Sequence, residues 1–152
     1  MKRIIYFLPL LLLYFSCSDD SSDDLPETEN NTFTVEYSQS GDNELFHQDI
    51  TLYGSPVGWE DSESGSEVEG YLNAEYDALP GSFSYTTKQT TPAIWLTYNV
   101  TPHNVEEKIS LDVTFKFYKD GDLIDSKNLT IDNESTVTDS FEWKYFSDTG
   151  DN

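Results

Sequence analysis

Basic charge and cysteine are what this chain has least of. Its 152 residues include 8 Lys and Arg against 29 Asp and Glu, with 2 His, for a formal charge of −21. A field of that sign repels phosphate backbones and anionic headgroups, so the electrostatic footprint of a nucleic-acid binder is missing. The same self-repulsion favours a soluble, monomeric particle at some cost to compactness at low salt. There is one cysteine, Cys17, so no disulfide can form within the chain, and a folded domain must rest on its apolar core. Alanine is scarce, and helical 3.6-residue spacing is scarce with it. No G-x-S-x-G, H-E-x-x-H, P-loop or dinucleotide fingerprint is present. No cofactor is therefore called for. Long hydrophobic runs are also missing, apart from one at the amino terminus.

That run is Ile4 to Phe15, preceded by Lys2 and Arg3. As a helix it would span roughly 18 Å at 1.5 Å per residue, short of the ~30 Å hydrocarbon core of a bilayer. It reads as the apolar region of a secretory signal. Ser16-Cys17 follows directly, and then Ser18-Asp19-Asp20-Ser21-Ser22-Asp23-Asp24 and Leu25 to Asn31. Like charges at this density do not collapse, so residues 17–31 read as a solvated tether. Removing residues 1–16 would take away two of the eight basic side chains, leaving 6 against 29 and a charge of −23.

Ser16-Cys17, at the end of that run, resembles the lipobox of bacterial lipoproteins, in the relaxed form found in Bacteroidetes. Tyr14 and Phe15 stand where smaller or aliphatic residues are usual. The resemblance implies cleavage before Cys17 and lipid on its thiol, hence a membrane partner reached through Cys17. Ser18 to Asp24 resembles the acidic export signal of such lipoproteins, which implies the outer face of the outer membrane. The periplasmic face is the alternative location.

From Thr32 onward the period is two. Phe33, Val35 and Tyr37 alternate with polar residues, as do Phe46, Ile50 and Leu52. Val68, Leu72, Ala74 and Tyr76 mark a third run, Phe83 and Tyr85 a fourth, and Ile94, Leu96, Tyr98 and Val100 a fifth. Ile109 to Phe117 is the clearest strand. Ile124, Leu129 and Ile131 suggest another, interrupted at Asp125 to Asn128, and Val137, Phe141, Trp143 and Tyr145 close the series. Asp120-Gly121 is the dipeptide of a type I′ hairpin. Leu79-Pro80-Gly81-Ser82 and Ser40-Gly41-Asp42-Asn43 are further turns. Glu60 to Glu69 reads as a mobile exposed loop. Seven or eight short strands with these turns predict an all-β, immunoglobulin-like antiparallel sandwich over residues 32–147, with a disordered tail at 148–152.

The order of Leu79 to Phe83, Ile109 to Phe117, Asp120 to Ser126 and Thr136-Val137-Thr138 is similar to the carboxy-terminal β-sandwich of MmpS-like transport accessory proteins. The similarity spans about the last 75 residues and lacks the cysteine pair often seen there. It implies an envelope accessory role.

Candidate chemistry is sparse. A zinc site or acid–base pair would want His grouped with Cys, Asp or Glu, but His47 and His103 lie far apart in sequence, one on the outer face of a strand and one in a Pro-Asn turn, and read as surface residues. Asp120, Asp122 and Asp125 lack the spacing and closing Glu of a calcium loop, and hairpin formation explains them. No metal site is assigned. Among Trp59, Trp95 and Trp143, the latter two fall inside strand patterns. Trp59 follows Pro56-Val57-Gly58 in a loop and is the candidate ligand platform, because aromatic faces stack on sugars. The expectation is a lipid-anchored envelope protein without catalysis, binding an envelope protein or a glycan. The alternative class is a hydrolase whose site carries no familiar motif, which would need polar groups converging in a cleft.

Overall fold

In a computed structural model, residues 29–54, 57–73, 79–104, 106–134 and 139–147 are described. The signal at 1–16, Cys17, the acidic stretch Ser18 to Asp24 and the tail at 148–152 lie outside them, as do Ala74, Tyr76 and Val137.

The domain is a two-sheet antiparallel sandwich, as the alternation predicts. Ten strands are described: β1 (Phe33–Gly41), β2 (Phe46–Tyr53), β3 (Trp59–Asp61), β4 (Glu67–Val68), β5 (Tyr71–Asn73), β6 (Ser82–Thr87), β7 (Ala93–Pro102), β8 (Ser110–Lys119), β9 (Asp122–Asp132) and β10 (Asp139–Phe146). One sheet has the order β4-β3-β6-β1-β8-β9 and the other β10-β7-β2-β5. The chain passes repeatedly from one sheet to the other, so the two inner faces share one core. Among the described residues no helix is long and apolar enough to cross a membrane.

Alternation places Phe33, Val35 and Tyr37 of β1, Ile94, Leu96, Tyr98 and Val100 of β7, and Leu111 to Phe117 of β8 in that core. Trp143 of β10 lies flat on Phe117 of the opposite sheet, with centroids 3.8 Å apart and 8° between planes. The β8–β9 connection is the expected hairpin: Asp120 has φ +50° and Gly121 φ +89°, the two left-handed residues a type I′ turn demands.

Three expectations need correction. Val68 and Leu72 do not share a strand, because β4 joins the six-stranded sheet and β5 the four-stranded one. The change of sheet falls at Gly70, where an added Cβ would collide with the Leu52 carbonyl and press on the Trp59 indole. The Glu60–Glu69 segment holds β3, β4 and the turn between them, with the Asp61 N–H donating to Ser66 O at 2.9 Å. This raises the strand count above seven or eight. The apolar gap at Asp125 to Asn128 is not a break, since β9 pairs with β8 throughout, with a register shift between Phe117 and Tyr118. Asp125 and Lys127 stand opposite Phe117 and Phe115, on the core-facing side of an edge strand. The Trp143 Nε1–H donates to Asp125 at 2.7 Å, and Lys127 lies 5.8 Å from the Phe141 ring centroid. Inward-pointing charge at a sheet edge discourages pairing with another chain.

Among the described residues a long polar side chain is buried between core positions of β2. Gln48 of β2 is buried between Phe46 and Ile50. Its Oε1 accepts from the hydroxyls of Tyr37 (3.1 Å) and Tyr98 (2.9 Å). Its Nε2 donates to Gln39 Oε1 at 3.0 Å, and Gln39 Nε2 donates to the Leu79 and Pro80 carbonyls at 2.8 and 3.2 Å. Replacing Gln48 by Met keeps the volume and removes the acceptor that the Tyr37 and Tyr98 hydroxyls share. Gln48→Met is therefore expected to lose about 2–4 kcal/mol of stability in urea unfolding, against ~1 kcal/mol for Tyr37→Phe. A Gln48→Met protein as stable as the parent would refute this account of the hub.

Burial pushes the Tyr37 phenol above its ordinary value of 10.0, because the phenolate would be desolvated. The folded chain thus holds this proton more tightly than the unfolded chain does. The associated stability is complete below pH 10.0 and is lost as pH rises toward the folded value. Stability is expected to fall between about pH 10 and 12, and to fall less steeply in Tyr37→Phe. Equal slopes for the two proteins in urea midpoints against pH would count against it.

Candidate binding surface

Trp59 does not stand in a loop. It opens β3, pairs with Thr87 of β6 and is 2% exposed, with Gly54 and Gly70 leaving room for its indole. A buried ring offers no face to a sugar, so Trp59 is not a stacking platform. Its Nε1–H has no hydrogen-bond partner. Trp59 also lines a shallow depression of about 380 Å³, together with Tyr53, Gly58, Val68 and Gly70.

The aromatic surface lies next to that depression, on the outer face of the four-stranded sheet. Strand parity places it there. Leu52, Ile94 and Leu96 face the core, so Tyr53 and Trp95 face outward and stand opposite each other across β2 and β7. Tyr53 is 50% and Trp95 37% exposed, and their centroids lie 5.1 Å apart. Across the next pairing Lys144 of β10 faces Trp95, its Nζ 4.3 Å from the ring centroid and 3.0 Å from Glu142 Oε1. Tyr71, 53% exposed, and Phe146, 66% exposed, continue the ledge diagonally at its two ends. Thr51 and Thr97 lie between the rings and the polar half of the face. There Asp49 takes a long contact from the Tyr71 hydroxyl (3.4 Å) and lies 3.5 Å from His47 Nε2.

The outer face of the six-stranded sheet is polar. A groove of about 400 Å³ there is lined by Glu36, Ser38, Asp61, Ser84, Thr114 and Lys116, among others. Many of its groups already engage one another. Glu36 takes the Tyr118 hydroxyl at 2.9 Å and lies 3.7 Å from Lys116 Nζ. Ser84 donates to Ser62 at 3.0 Å, and Ser62 meets Thr86 at 2.8 Å. The Ser64 backbone N–H and hydroxyl hold the Asp61 carboxyl below its ordinary 3.8. This face is a closed hydroxyl network, whereas the aromatic ledge has rings turned to solvent.

His103 follows β7, its backbone N–H donating to Leu45 O, and His47 opposes Thr101 two residues before it. Asp120 accepts from the Thr32 N–H at 2.8 Å, and Asp125 from Ser126 N–H and Trp143 Nε1–H, both at 2.7 Å. Among the described residues no three His, Cys, Asp or Glu groups gather as a metal site would require.

With this geometry in hand, the class of protein is a β-sandwich displaying an exposed aromatic ledge. No known protein-family profile matches the chain, and no curated protein sequence matches it. Solved structures do share the fold. A domain of unknown function, DUF4425, from Bacteroides vulgatus aligns with a TM-score of 0.65 at 16% identity, over 77% of this chain and 96% of that one. A DUF4425 family protein from Bacteroides ovatus aligns with a TM-score of 0.65 at 14% identity, over 81% and 98%. A protein from Parabacteroides distasonis, solved in a calcium-bound form, aligns with a TM-score of 0.61 at 19% identity, over 79% and 98%. The fold is thus one also found in Bacteroides and Parabacteroides proteins.

Solvent access separates the three indoles. Trp59 is enclosed, Trp143 is sandwiched against Phe117, and Trp95 is open. Acrylamide is expected to quench chiefly Trp95, so Trp95→Phe should remove most of the quenchable emission. Undiminished quenching in that variant would show that Trp59 or Trp143 is accessible.

Proposed function

We propose that this chain is a lipid-anchored envelope lipoprotein whose β-sandwich serves as a non-catalytic binding module, held by lipid on Cys17 and presented at the outer-membrane surface. The observation that carries the binding role is the ledge of Tyr53, Trp95, Tyr71 and Phe146 on one sheet face. Exposed apolar patches of this kind on otherwise charged proteins mark interaction sites. Support for the anchor comes from the Ile4–Phe15 run ending at Ser16-Cys17, and for surface display from the acidic residues Ser18 to Asp24. The Bacteroides and Parabacteroides origin of the structural neighbours agrees with a Bacteroidetes-type protein.

Calcium is not part of the proposal, although the Parabacteroides neighbour was solved with it. In this chain the hairpin carboxylates Asp120 and Asp125 are occupied by backbone and indole donors.

Lipoprotein anchors hold because more than one acyl chain inserts, a single chain giving only marginal binding. Cys17→Ala is expected to release the chain from the membrane fraction, and a variant that still pellets with membranes would remove the anchor from the proposal. Protease treatment of intact cells carrying a carboxy-terminal tag tests the location. Loss of the tag without lysis supports surface display, and protection until lysis places the domain in the periplasm.

A further inference from the structure

We infer that the outer face of the four-stranded sheet binds a neutral polysaccharide, laid across β5, β2, β7 and β10 with its sugar rings stacked on Tyr53 and Trp95. This rests on the reading of that face as a binding surface, and it names the ligand class.

The size of the ledge is the first argument. Four aromatic side chains of about 150–250 Å² each, roughly half exposed, offer on the order of 400 Å². A standard protein interface covers about 800 Å² on each side. The ledge by itself supplies about half of that, and the Lys144–Glu142 pair lies across it.

Shape excludes a small apolar ligand, which requires a concave site that wraps most of its surface. The rings lie instead along the outer face of a sheet. From β5 to β10 there are three strand spacings, ~14 Å in all, about the length of a short run of linked pyranose rings. A pyranose has an apolar C–H face and a rim of hydroxyls. Tyr53 and Trp95, 5.1 Å apart and tilted by 41°, match the former once the Lys144 ammonium, 4.3 Å over the Trp95 ring, swings aside. Thr51, Thr97, Asp49 and Glu142 beside them match the latter. Just past Tyr53 the ledge gives way to the depression lined by Tyr53, Gly58, Val68 and Gly70.

Charge selects among polysaccharides. A chain at −21 repels uronate or sulfate polymers over distances of a Debye length. Lys144 does not offset this, because it is already paired with Glu142 and packed over Trp95. A neutral chain enters without that penalty. The same field argues against an anionic lipid surface as the occupant.

The test uses the full chain in detergent micelles, run in native gels containing a soluble mixed-linkage β-glucan, a galactomannan or a yeast mannan, with heparin as the anionic contrast. Retardation by at least one neutral polymer is expected, with a change in tryptophan emission and none with heparin. Trp95→Ala should weaken the effect roughly five- to tenfold, the size of one stacked aromatic pair. Trp95→Phe should keep most of it, and it guards against a loss that merely reflects misfolding. Retardation that Trp95→Ala leaves unchanged overturns the assignment, as does heparin binding equal to the neutral polymers. If no polymer binds but a photo-crosslinker at Tyr53 captures one protein from envelope extracts, and Trp95→Ala abolishes the capture, the ligand class is wrong and the binding face stands. If neither registers, both fall.

Discussion

The sandwich depends on a buried amide. A glutamine placed between two apolar sheets is tolerable only when its donors and acceptors are met, because an unmet polar group in the core costs more than one bond returns. Gln48 meets that demand through Tyr37 of the opposite sheet and Tyr98 of its own, and through Gln39 it ties to the Leu79–Pro80 turn. Hydrophobic packing would accept several slides of one sheet over the other. The phenol–amide–phenol arrangement accepts few, since such a slide would break the Tyr37–Gln48 and Gln48–Gln39 bonds that cross between the sheets. The amide therefore fixes how the sheets face each other, and with that which side chains of β2 and β7 turn outward.

From that register the two outer faces follow, and they differ in kind. The six-stranded sheet turns out hydroxyls and paired charges that bond among themselves. The four-stranded sheet turns out aromatic rings at one end and polar groups at the other. Neither sheet leaves an unguarded edge where β9 runs beside β10, because Asp125 and Lys127 meet Trp143 and Phe141 there. This edge gives up apolar burial, and the inward charge at its rim is consistent with a domain that stays single while displaying an apolar ledge elsewhere.

Much of this was legible in the amino-acid order. Period-two alternation identifies the strands Phe33–Gly41, Ala93–Pro102 and Ser110–Lys119, because one buried face forces it, and Asp120-Gly121 announces its hairpin because few other pairs accept positive φ twice. The misreadings have physical causes. Gln48 looked like a gap in an apolar series, since a single polar residue on the inward parity carries no sign that partners await it. Glu60 to Glu69 looked like one loop, because nothing in the charged stretch announces that Gly70, just after it, lets the chain change sheets against the Leu52 carbonyl. Trp59 looked exposed beside Pro56 and Gly58, yet those residues precede a strand whose first side chain turns inward. The ledge did leave a signal: Tyr53 and Trp95 are each one residue out of phase with Leu52, Ile94 and Leu96. Large aromatics on the polar parity of a strand are the pattern to look for, and reading them as strand residues alone hid it.

On the proposed reading, anchor and ledge explain each other's modesty. A few half-exposed rings hold a ligand weakly, because the surface they cover barely exceeds what is lost in ordering the complex. A soluble protein with such a site would spend most of its time unbound. Lipid on Cys17 would confine many copies to one membrane, and a polysaccharide repeats its units along one chain. The second contact is then intramolecular, and avidity exceeds the single-site affinity by orders of magnitude without any new contact. A deep, tight pocket is unnecessary in that arrangement, and a sheet face open at both ends serves better, because a polymer has no end to enclose.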